Sequence, residues 1–215
     1  MSISNKLFIQ MSAQSIDAVI INYDLIKSFY LDNDISMDKS PRLAYHLGFA
    51  MAEDIIKQGR NILFDSMCQY NYVLETGMAL AEKYGLDYRY IECRVEDIDL
   101  LDQRLKHRAS LRSQPTGVNC PPPDLANADD FGTRFKTWIE NPLRPLTINT
   151  IVVDSTASPE KCNDYILQHL RSPSIAQKDR TEHINHDVKL DPGSTGARNG
   201  EAINNGGSTV AEIVS

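Results

Sequence analysis

Up to about residue 170, short apolar runs alternate with stretches in which apolar residues recur every three to four positions. The runs are typical of buried parallel strands, and the recurring positions are typical of helices that cover a sheet. The predicted strands span 6–11, 18–22, 61–65, 87–93 and 148–154. The predicted helices span 25–31, 41–58, 71–84, 96–109, 131–140 and 159–170. This alternation predicts an α/β fold in which helices cover both faces of a parallel sheet.

Residues that begin or end helices flank several of these segments. Gly59 and Gly85 directly follow two of the predicted helices, where a glycine commonly ends a helix. Ser158 precedes Pro159 and Glu160, which gives an N-cap, a proline at the first helical position and an acid in the first turn. These signals agree with the boundaries that the apolar pattern predicts.

The composition changes near the carboxyl end. Every aromatic residue lies before residue 171, and Ser, Gly, Asn and Asp are frequent after it. We therefore predict one domain over residues 1–171 and a disordered tail over 172–215. A glycine cluster at 191–200 follows no predicted strand and is expected to be linker. Within the domain, residues 110–130 are polar and rich in proline, which predicts a mobile loop.

Charge and cysteine content narrow the function classes. The 215-residue chain has a net charge of -7 and a pI near 5.2, which argues against nucleic-acid or membrane binding unless basic residues form a local patch. The four cysteines lack a CxxC pair and a paired histidine at metal-ligand spacing, so we expect reduced thiols. Without a signal-peptide pattern or a membrane-length apolar run, a soluble cytoplasmic protein is expected.

Polar residues follow the predicted strands at the places where chemistry occurs in parallel sheets. Ligands in such folds bind outside the carboxyl ends of the strands. The residues at these ends are Asp24, Asp65, Cys93 with Arg94, and Asp154 with Ser155.

Five segments of the chain together resemble one protein family. They are INYDLIKS at 21–28, QGRNILFDSMC at 58–68, ETGMALAEKYGLDYRYIECRVEDIDLLDQRLKHR at 75–108, SQPTGVNCPPPD at 113–124 and IVVDST at 151–156. Through them the domain resembles the P-loop kinase-like ATPases, AAA-domain proteins related to polynucleotide kinase and the zeta-toxin kinases. The resemblance implies a three-layer parallel sheet of the P-loop NTPase type. It also implies phosphoryl transfer from ATP, with Mg²⁺, to a hydroxyl of an unidentified substrate.

The phosphate-binding loop that defines this family is missing. Its pattern is G-x-x-x-x-G-K-[ST], whose backbone N–H groups and lysine hold the nucleotide phosphates. Relative to that pattern, about fifteen residues are absent between Ser12 and Ala13. A crossover between parallel strands needs at least ~10 to 12 residues, more than the segment 12–17 provides. We therefore expect a displaced or loose first strand, a poorly filled sheet centre, and little or no ATP binding.

Asp24 and Lys27 are three residues apart and therefore share one helix face. By resemblance they match an Asp-x-x-Arg motif in which the acid accepts the proton of the substrate hydroxyl and the arginine holds phosphate. Lysine keeps the charge but loses the bidentate fork of arginine. The alternative is structural, with Asp24 as a helix N-cap and Lys27 on a solvated face.

Asp65 ends an apolar strand, as the acid of a P-loop enzyme does when it orients Mg²⁺. The resemblance assigns it to the metal site. The alternative is again an N-cap, shared with Ser66.

Arg104, Arg108 and Arg112 recur every four residues, so at least the first two share a helix face towards the proline-rich loop. In the relatives such arginines close over the transferred phosphate and neutralise its charge. The alternative is a set of solvated arginines that pair with Asp102 or Glu96.

The sequence favours structural roles for its aromatic residues and cysteines. Packing is the preferred interpretation for Trp138 and for Tyr84, Tyr88 and Tyr90, over a base-stacking platform. Cys68 has no nearby histidine to activate it as a nucleophile.

Three functional interpretations remain open from the sequence. One is a kinase-like protein with impaired ATP-dependent phosphoryl transfer. The second is a non-catalytic remnant that binds a ligand or protein in the surviving cleft. The third is an incomplete gene model or splice form of an active enzyme, which genomic DNA between the codons for Ser12 and Ala13 would reveal.

Overall fold

The computed structural model describes residues 3–125, 129–146, 150–171 and 209–214. Seven helices are present in this part of the chain: α1 (Ile3–Ser15), α2 (Tyr23–Asp32), α3 (Ser40–Lys57), α4 (Asn71–Tyr84), α5 (Ile98–His107), α6 (Phe131–Glu140) and α7 (Pro159–Leu170). Five strands accompany them: β1 (Ala18–Asn22), β2 (Asn61–Ser66), β3 (Asp87–Arg94), β4 (Thr150–Asp154) and β5 (Thr209–Val214).

All five strands belong to one parallel sheet with the order β1-β2-β5-β3-β4. The predicted α/β class with parallel strands is therefore confirmed. The predicted helices and strands from residue 18 to residue 170 are present within a few residues of their expected bounds.

Local capping explains several of these boundaries. The side chain of Asn22 accepts a hydrogen bond from the N–H of Leu25 and caps α2, and Ser158 caps α7 in the same way, as predicted. Helix α4 ends at Gly85, whose φ of 65° lies in the left-handed region that glycine adopts without strain.

One face of the sheet carries a core rich in aromatic side chains. Helices α2, α3 and α4 pack there against residues of β1, β2 and β3. Gly48 of α3 allows a close approach to the sheet, because a Cβ at this position would lie 2.7 Å from the ring of Phe64. Tyr88 and Tyr90 belong to this core, as expected for packing residues.

The opposite face is covered by α1 and α7 and carries an aliphatic core. Phe8, Ile9 and Ala13 of α1 are buried there at helical spacing, and the hydroxyl of Ser12 donates to Asn163 of α7. The prediction of a strand at 6–11 is therefore wrong. Since α1 ends at Ser15 beside the start of β1, residues 12–17 are not a strand-to-strand crossover.

The centre of the sheet is filled from the carboxyl end of the chain. Strand β5 pairs in parallel with β2 on one side and with β3 on the other. The prediction of disorder is wrong for Thr209–Val214, and the rest of the predicted tail, 172–208 and 215, lies outside the described residues. The sheet centre, expected to be poorly filled, holds a strand that pairs on both sides.

A third apolar cluster lies outside the sheet. It joins α5 and α6 through Leu105, Val118, Phe131 and Phe135. None of the helices in the described part of the chain is long and apolar enough to cross a membrane.

Candidate functional site

A cavity of about 230 Å³ lies at the carboxyl ends of β1, β2 and β3. We call it the strand-end cavity. Polar residues at the strand ends line one side, and α5 and α6 line the other. Its rim is formed by residues 114–115 and 141–143. The cavity is thus at the edge of the sheet where the sequence predicted a site.

Asp24 lines this cavity from the first turn of α2. One carboxylate oxygen, Oδ2, accepts a hydrogen bond of 2.8 Å from the side-chain amide of Gln114. The other, Oδ1, lies 3.8 Å from Nζ of Lys27. Because Asn22 is the N-cap of α2, the alternative interpretation of Asp24 as the cap is wrong.

Lys27 lies behind Asp24 and is not among the cavity-lining residues. Its ammonium lies 5.3 Å from the centre of the Tyr23 ring. Burial lowers the pKa of Lys27, and the nearby Asp24 carboxylate opposes that shift. The structure therefore places Lys27 beside the carboxylate of Asp24 and not on the cavity surface where a substrate phosphate would bind.

Asp65, the second-last residue of β2, is buried with 6% of its surface exposed and lines the cavity. Its Oδ2 accepts a hydrogen bond of 2.8 Å from the side-chain amide of Asn22, so the last residue of β1 is linked to this carboxylate. The next helix begins at Asn71 and has Tyr70 at its N-cap position. The interpretation of Asp65 as an N-cap is therefore wrong.

Arg104 and Arg108 line the cavity from α5. Arg104 donates to the carbonyl oxygen of Ser155 at 2.9 Å. Arg108 donates to the carbonyl of Pro115 at 2.8 Å and to the hydroxyl of Ser110 at 3.2 Å.

Neither guanidinium forms an ion pair with a carboxylate among the residues that the structure describes. The sequence had offered Asp102 and Glu96 as partners of these arginines. Asp102 instead pairs with Lys106, and Glu96 pairs with Arg94. Asp154 lies near Arg104, and the hydroxyl and N–H of Thr156 hold that carboxylate.

Arg112 lies at the end of α2 and is not among the cavity-lining residues. Its guanidinium makes a bidentate pair with Asp124 at 2.9 and 2.8 Å and donates to the carbonyl of Leu31 at 2.8 Å. The hydrogen bond to Asp124 and the nearby Asp32 raise the pKa of Arg112. It connects the proline-rich loop to the end of α2.

The start of the proline-rich loop is fixed against α2. Ser113 is buried, accepts a hydrogen bond from the hydroxyl of Ser28, and donates from its own hydroxyl to the carbonyl of Asp24. Its backbone N–H donates to Ser28 at 3.0 Å. We call residues 111–115 the docking segment. The prediction of a mobile loop at 110–130 is therefore wrong for this part, because these hydrogen bonds hold it to a helix.

The apolar wall of the cavity comes from the third apolar cluster. Phe135 is buried, Trp138 is half-buried, and both line the cavity from α6. The guanidinium of Arg134 lies 5.4 Å from the centre of the Trp138 ring. Trp138, which the sequence assigned to packing, is thus partly packed and also faces the cavity.

An ion pair between a buried carboxylate and an exposed arginine fixes the rim at 141–143. Glu92 of β3 is 4% exposed and accepts two hydrogen bonds from Arg144, at 2.7 and 3.0 Å. The hydroxyl of Tyr90 donates to the carbonyl of Leu143 at 2.5 Å. Sequence reasoning missed Glu92, although a charged residue between two apolar ones, Ile91 and Cys93, in a strand is a signal for such a pair.

Two cysteines, Cys68 and Cys93, line the cavity. Cys68 is buried and has a φ of 42°, a conformation that is uncommon outside glycine. Burial raises the pKa of Cys93, and nearby Asp65 raises it further. None of the four cysteines, the other two being Cys120 and Cys162, forms a disulfide with another described residue.

The residues present do not fit the Mg²⁺ and ATP that the resemblance implies. Asp65 is placed at a strand end, yet one of its oxygens already accepts from Asn22. The described residues include no group of three or more His, Cys, Asp or Glu side chains that could hold a metal ion. The sequence also lacks the loop whose N–H groups and Ser/Thr hydroxyl would hold the phosphates and share the metal.

Comparison with protein-family models, with curated proteins and with solved structures finds no match to this chain. The kinase-like assignment therefore stays a prediction from the sequence motifs.

Proposed function

We propose that the strand-end cavity binds a small molecule that carries a phosphate group, an apolar or aromatic part and a hydroxyl. The observation that carries this proposal is the pair Arg104 and Arg108, two cavity-lining cations that form no ion pair with a carboxylate among the described residues.

The buried charge of Arg108 is the reason to propose a phosphate. Burial alone lowers its pKa to about 10, which means that its charge lies in surroundings that solvate it poorly. A buried charge is stabilised by a partner of opposite sign. The planar guanidinium suits the oxygen atoms of a phosphate, which it can bind through two parallel N–H groups.

The apolar part is proposed from the wall that α6 forms. Phe135 and Trp138 present ring surface to the cavity beside the arginines of α5. A flat ring that stacks on such a surface typically gains ~1 to 3 kcal/mol when the ring is a base. A ligand with both a phosphate and a ring would use both features.

The hydroxyl is proposed from the acidic side. Asp24 and Asp65 also line the cavity, and a phosphate placed beside them would meet repulsion from like charges. A hydroxyl can instead donate to the Asp24 carboxylate, whose orientation Gln114 fixes. Asp24 is thereby positioned to accept a proton from that hydroxyl.

A kinase-like ancestry accounts for this combination. It is supported by the parallel sheet, by acids at the ends of two strands and by arginines that face them across the cavity. In this proposal the sheet is the three-layer sheet of a P-loop NTPase. The inherited activity is phosphoryl transfer from ATP to a hydroxyl, and it is absent or slow because no phosphate loop holds ATP.

Titration calorimetry tests the proposal with two probes. Phenyl phosphate, the simplest molecule with a phosphate and a ring, is expected to bind with a Kd of about 0.1 to 1 mM. ATP with Mg²⁺ is expected to bind no more tightly than phenyl phosphate does. Absence of phenyl phosphate binding would contradict the proposed ligand class.

The second candidate function is an active ATP enzyme, and the same titration separates it from the first. Micromolar affinity for ATP that requires Mg²⁺ and is lost in Asp65→Ala would establish it. Retention of ATP affinity in Asp65→Ala would exclude Asp65 as its metal ligand.

A further inference from the structure

The sheet consists of two pairs of strands with a fifth strand, β5, between them. Strands β1 and β2 pair directly, as do β3 and β4, whereas β2 and β3 each pair with β5, which lies between them. The central strand is also the last of the described strands in sequence order. Residues 171–208 precede it, far more than the ~10 to 12 residues that a parallel crossover needs.

We infer that the space between β2 and β3, here called the central slot, is a binding site for a strand of the sequence TVAEIV, and that this strand is exchangeable. The slot takes up Thr209–Val214 from the chain's own carboxyl-terminal segment. It can release this strand in favour of an identical strand supplied from outside.

Main-chain pairing on both sides explains why the slot binds a strand. Residues 62–66 of β2 and 87–92 of β3 pair in parallel register with β5. Without β5, the facing edges of β2 and β3 would leave N–H and C=O groups unpaired between the two cores of the sheet. Addition of a strand to exposed sheet edges is an established mode of peptide recognition.

The sequence of the strand suits this position. Four of its six residues, Thr209, Val210, Ile213 and Val214, are β-branched, and such residues are enriched in strands. Because both neighbours run parallel to β5, the slot also fixes the direction of the peptide that it accepts. A peptide of reversed sequence would not reproduce this pairing in the same register.

Occupancy of the slot also determines the strand-end cavity. The end of β5 lies in register with Asp65 and Ser66 of β2 and with Glu92 of β3. These residues line the cavity from the two pairs of strands that β5 joins. Removal of β5 would therefore leave the two strand pairs, and the cavity residues that they carry, without main-chain pairing between them. Strand insertion and ligand binding are thus thermodynamically linked. Exchange of the strand is expected whichever ligand the cavity binds.

The test uses the full chain with a site-specific protease sequence inserted between Gly193 and Ser194. After cleavage, the protein is mixed with an excess of a fluorescent peptide of residues 207–215, GSTVAEIVS. The matched control peptides carry Ala211→Pro, which removes a donor from the ladder, or the reversed sequence. Uptake is measured by gel filtration, and the protection of amides in β2 and β3 by hydrogen exchange.

We expect the GSTVAEIVS peptide to be taken up at least ten times more than either control, with amides of β2 and β3 protected while the slot is filled. Three outcomes would overturn the inference. They are loss of the cleaved fragment with unchanged protection of β2 and β3, retention of the fragment without exchange, and equal uptake of the control peptides.

A second measurement covers the case in which the cleaved chain precipitates. The intact chain with Ala211→Pro is compared with the intact chain with Ala197→Pro, a change outside the strand. At least tenfold faster exchange at β2 and β3 in the first variant alone is expected. Equal exchange in the two variants would overturn the inference.

Discussion

Arg108 and Arg112 are four residues apart in the sequence and lie in opposite electrostatic surroundings. Arg108 faces the strand-end cavity, donates to a carbonyl and a hydroxyl among the described residues, and has its pKa lowered by burial. Arg112 lies at the junction of the docking segment with α2, where Asp124 binds its Nε and Nη2 and raises its pKa.

The contrast separates charges that contribute to folding from charges that are available to a ligand. A charge that is paired within the protein stabilises the contact that it makes, as Arg112 does for the docking segment. A half-buried charge without a counterion gains most when an anion arrives from outside. Helix α5 ends at His107, so Arg108 and Arg112 do not share one helix face and enter different regions.

The largest expected effect is on ligand affinity. Arg108→Met keeps the apolar stem but removes the guanidinium, and loss of a hydrogen bond to a charged group costs about 1.5 to 3 kcal/mol. We therefore expect the Kd for phenyl phosphate to rise roughly 10- to 100-fold. Trp138, the only tryptophan of the chain, lines the cavity and reports binding by its fluorescence.

Arg112→Met is the matched control for this change. It should leave the Kd for phenyl phosphate unchanged and lower the urea midpoint of unfolding. If both variants weaken binding equally, the distinction between the two arginines is wrong.

A second, smaller effect concerns the docking segment. Ser28→Ala leaves the buried N–H of Ser113 without its partner, which should cost about 1 to 3 kcal/mol of unfolding free energy. Urea denaturation measures this change. The control is Thr76→Ala, which removes an exposed hydroxyl from α4 and should change stability by at most ~0.5 kcal/mol. Equal stability of the two variants would mean that the docking segment contributes little to folding.

The smallest expected effect is a pH dependence of stability that arises from Glu53, a paired carboxylate that does not line the cavity. Hydrogen bonds from Lys83 and Tyr84 lower the pKa of Glu53 to about 2, from an ordinary value of 4.5. Its stabilising contribution is therefore fully present above about pH 4.5 and is lost as the pH falls through about 2. Glu53→Gln should lower the thermal midpoint at pH 7 more than at pH 3.

The control for this prediction is Glu82→Gln, at an exposed position of α4. Its effect on the thermal midpoint should be the smaller of the two at pH 7. A Glu53→Gln effect that does not shrink on acidification would contradict the assignment of the pH dependence to this carboxylate.

The two ends of the chain show where sequence reasoning about the fold failed. Elements from β1 to α7 were predictable because their apolar periodicity and caps, such as Asn22 and Ser158, are local signals. The run at 6–11 fits a strand as well as a helix, and only the packing of Phe8 and Ile9 against α7 and the sheet decides for the helix. Thr209–Val214 looked like part of a polar tail because its stabilising partners, β2 and β3, lie more than a hundred residues earlier in the chain.

The candidate site was predictable to a similar extent. Asp24 and Asp65 could be located because parallel sheets place the carboxyl ends of their strands at one edge. Gln114 and Trp138 were not recognised as site residues, because the docking segment and α6 reach the cavity through long-range contacts. The four-residue spacing grouped Arg112 with Arg104 and Arg108, although the predicted helix already ended at residue 109, before Arg112.

The most direct test of the central claim is NMR observation of the arginine side chains during titration with phenyl phosphate. If the cavity binds phosphate through its unpaired cations, the guanidinium resonances of Arg104 and Arg108 should shift with one common Kd. Those of Arg112 and Arg144, already paired with Asp124 and Glu92, should stay in place. Shifts confined to Arg112 and Arg144, or no shift in any guanidinium at saturating phenyl phosphate, would contradict the account.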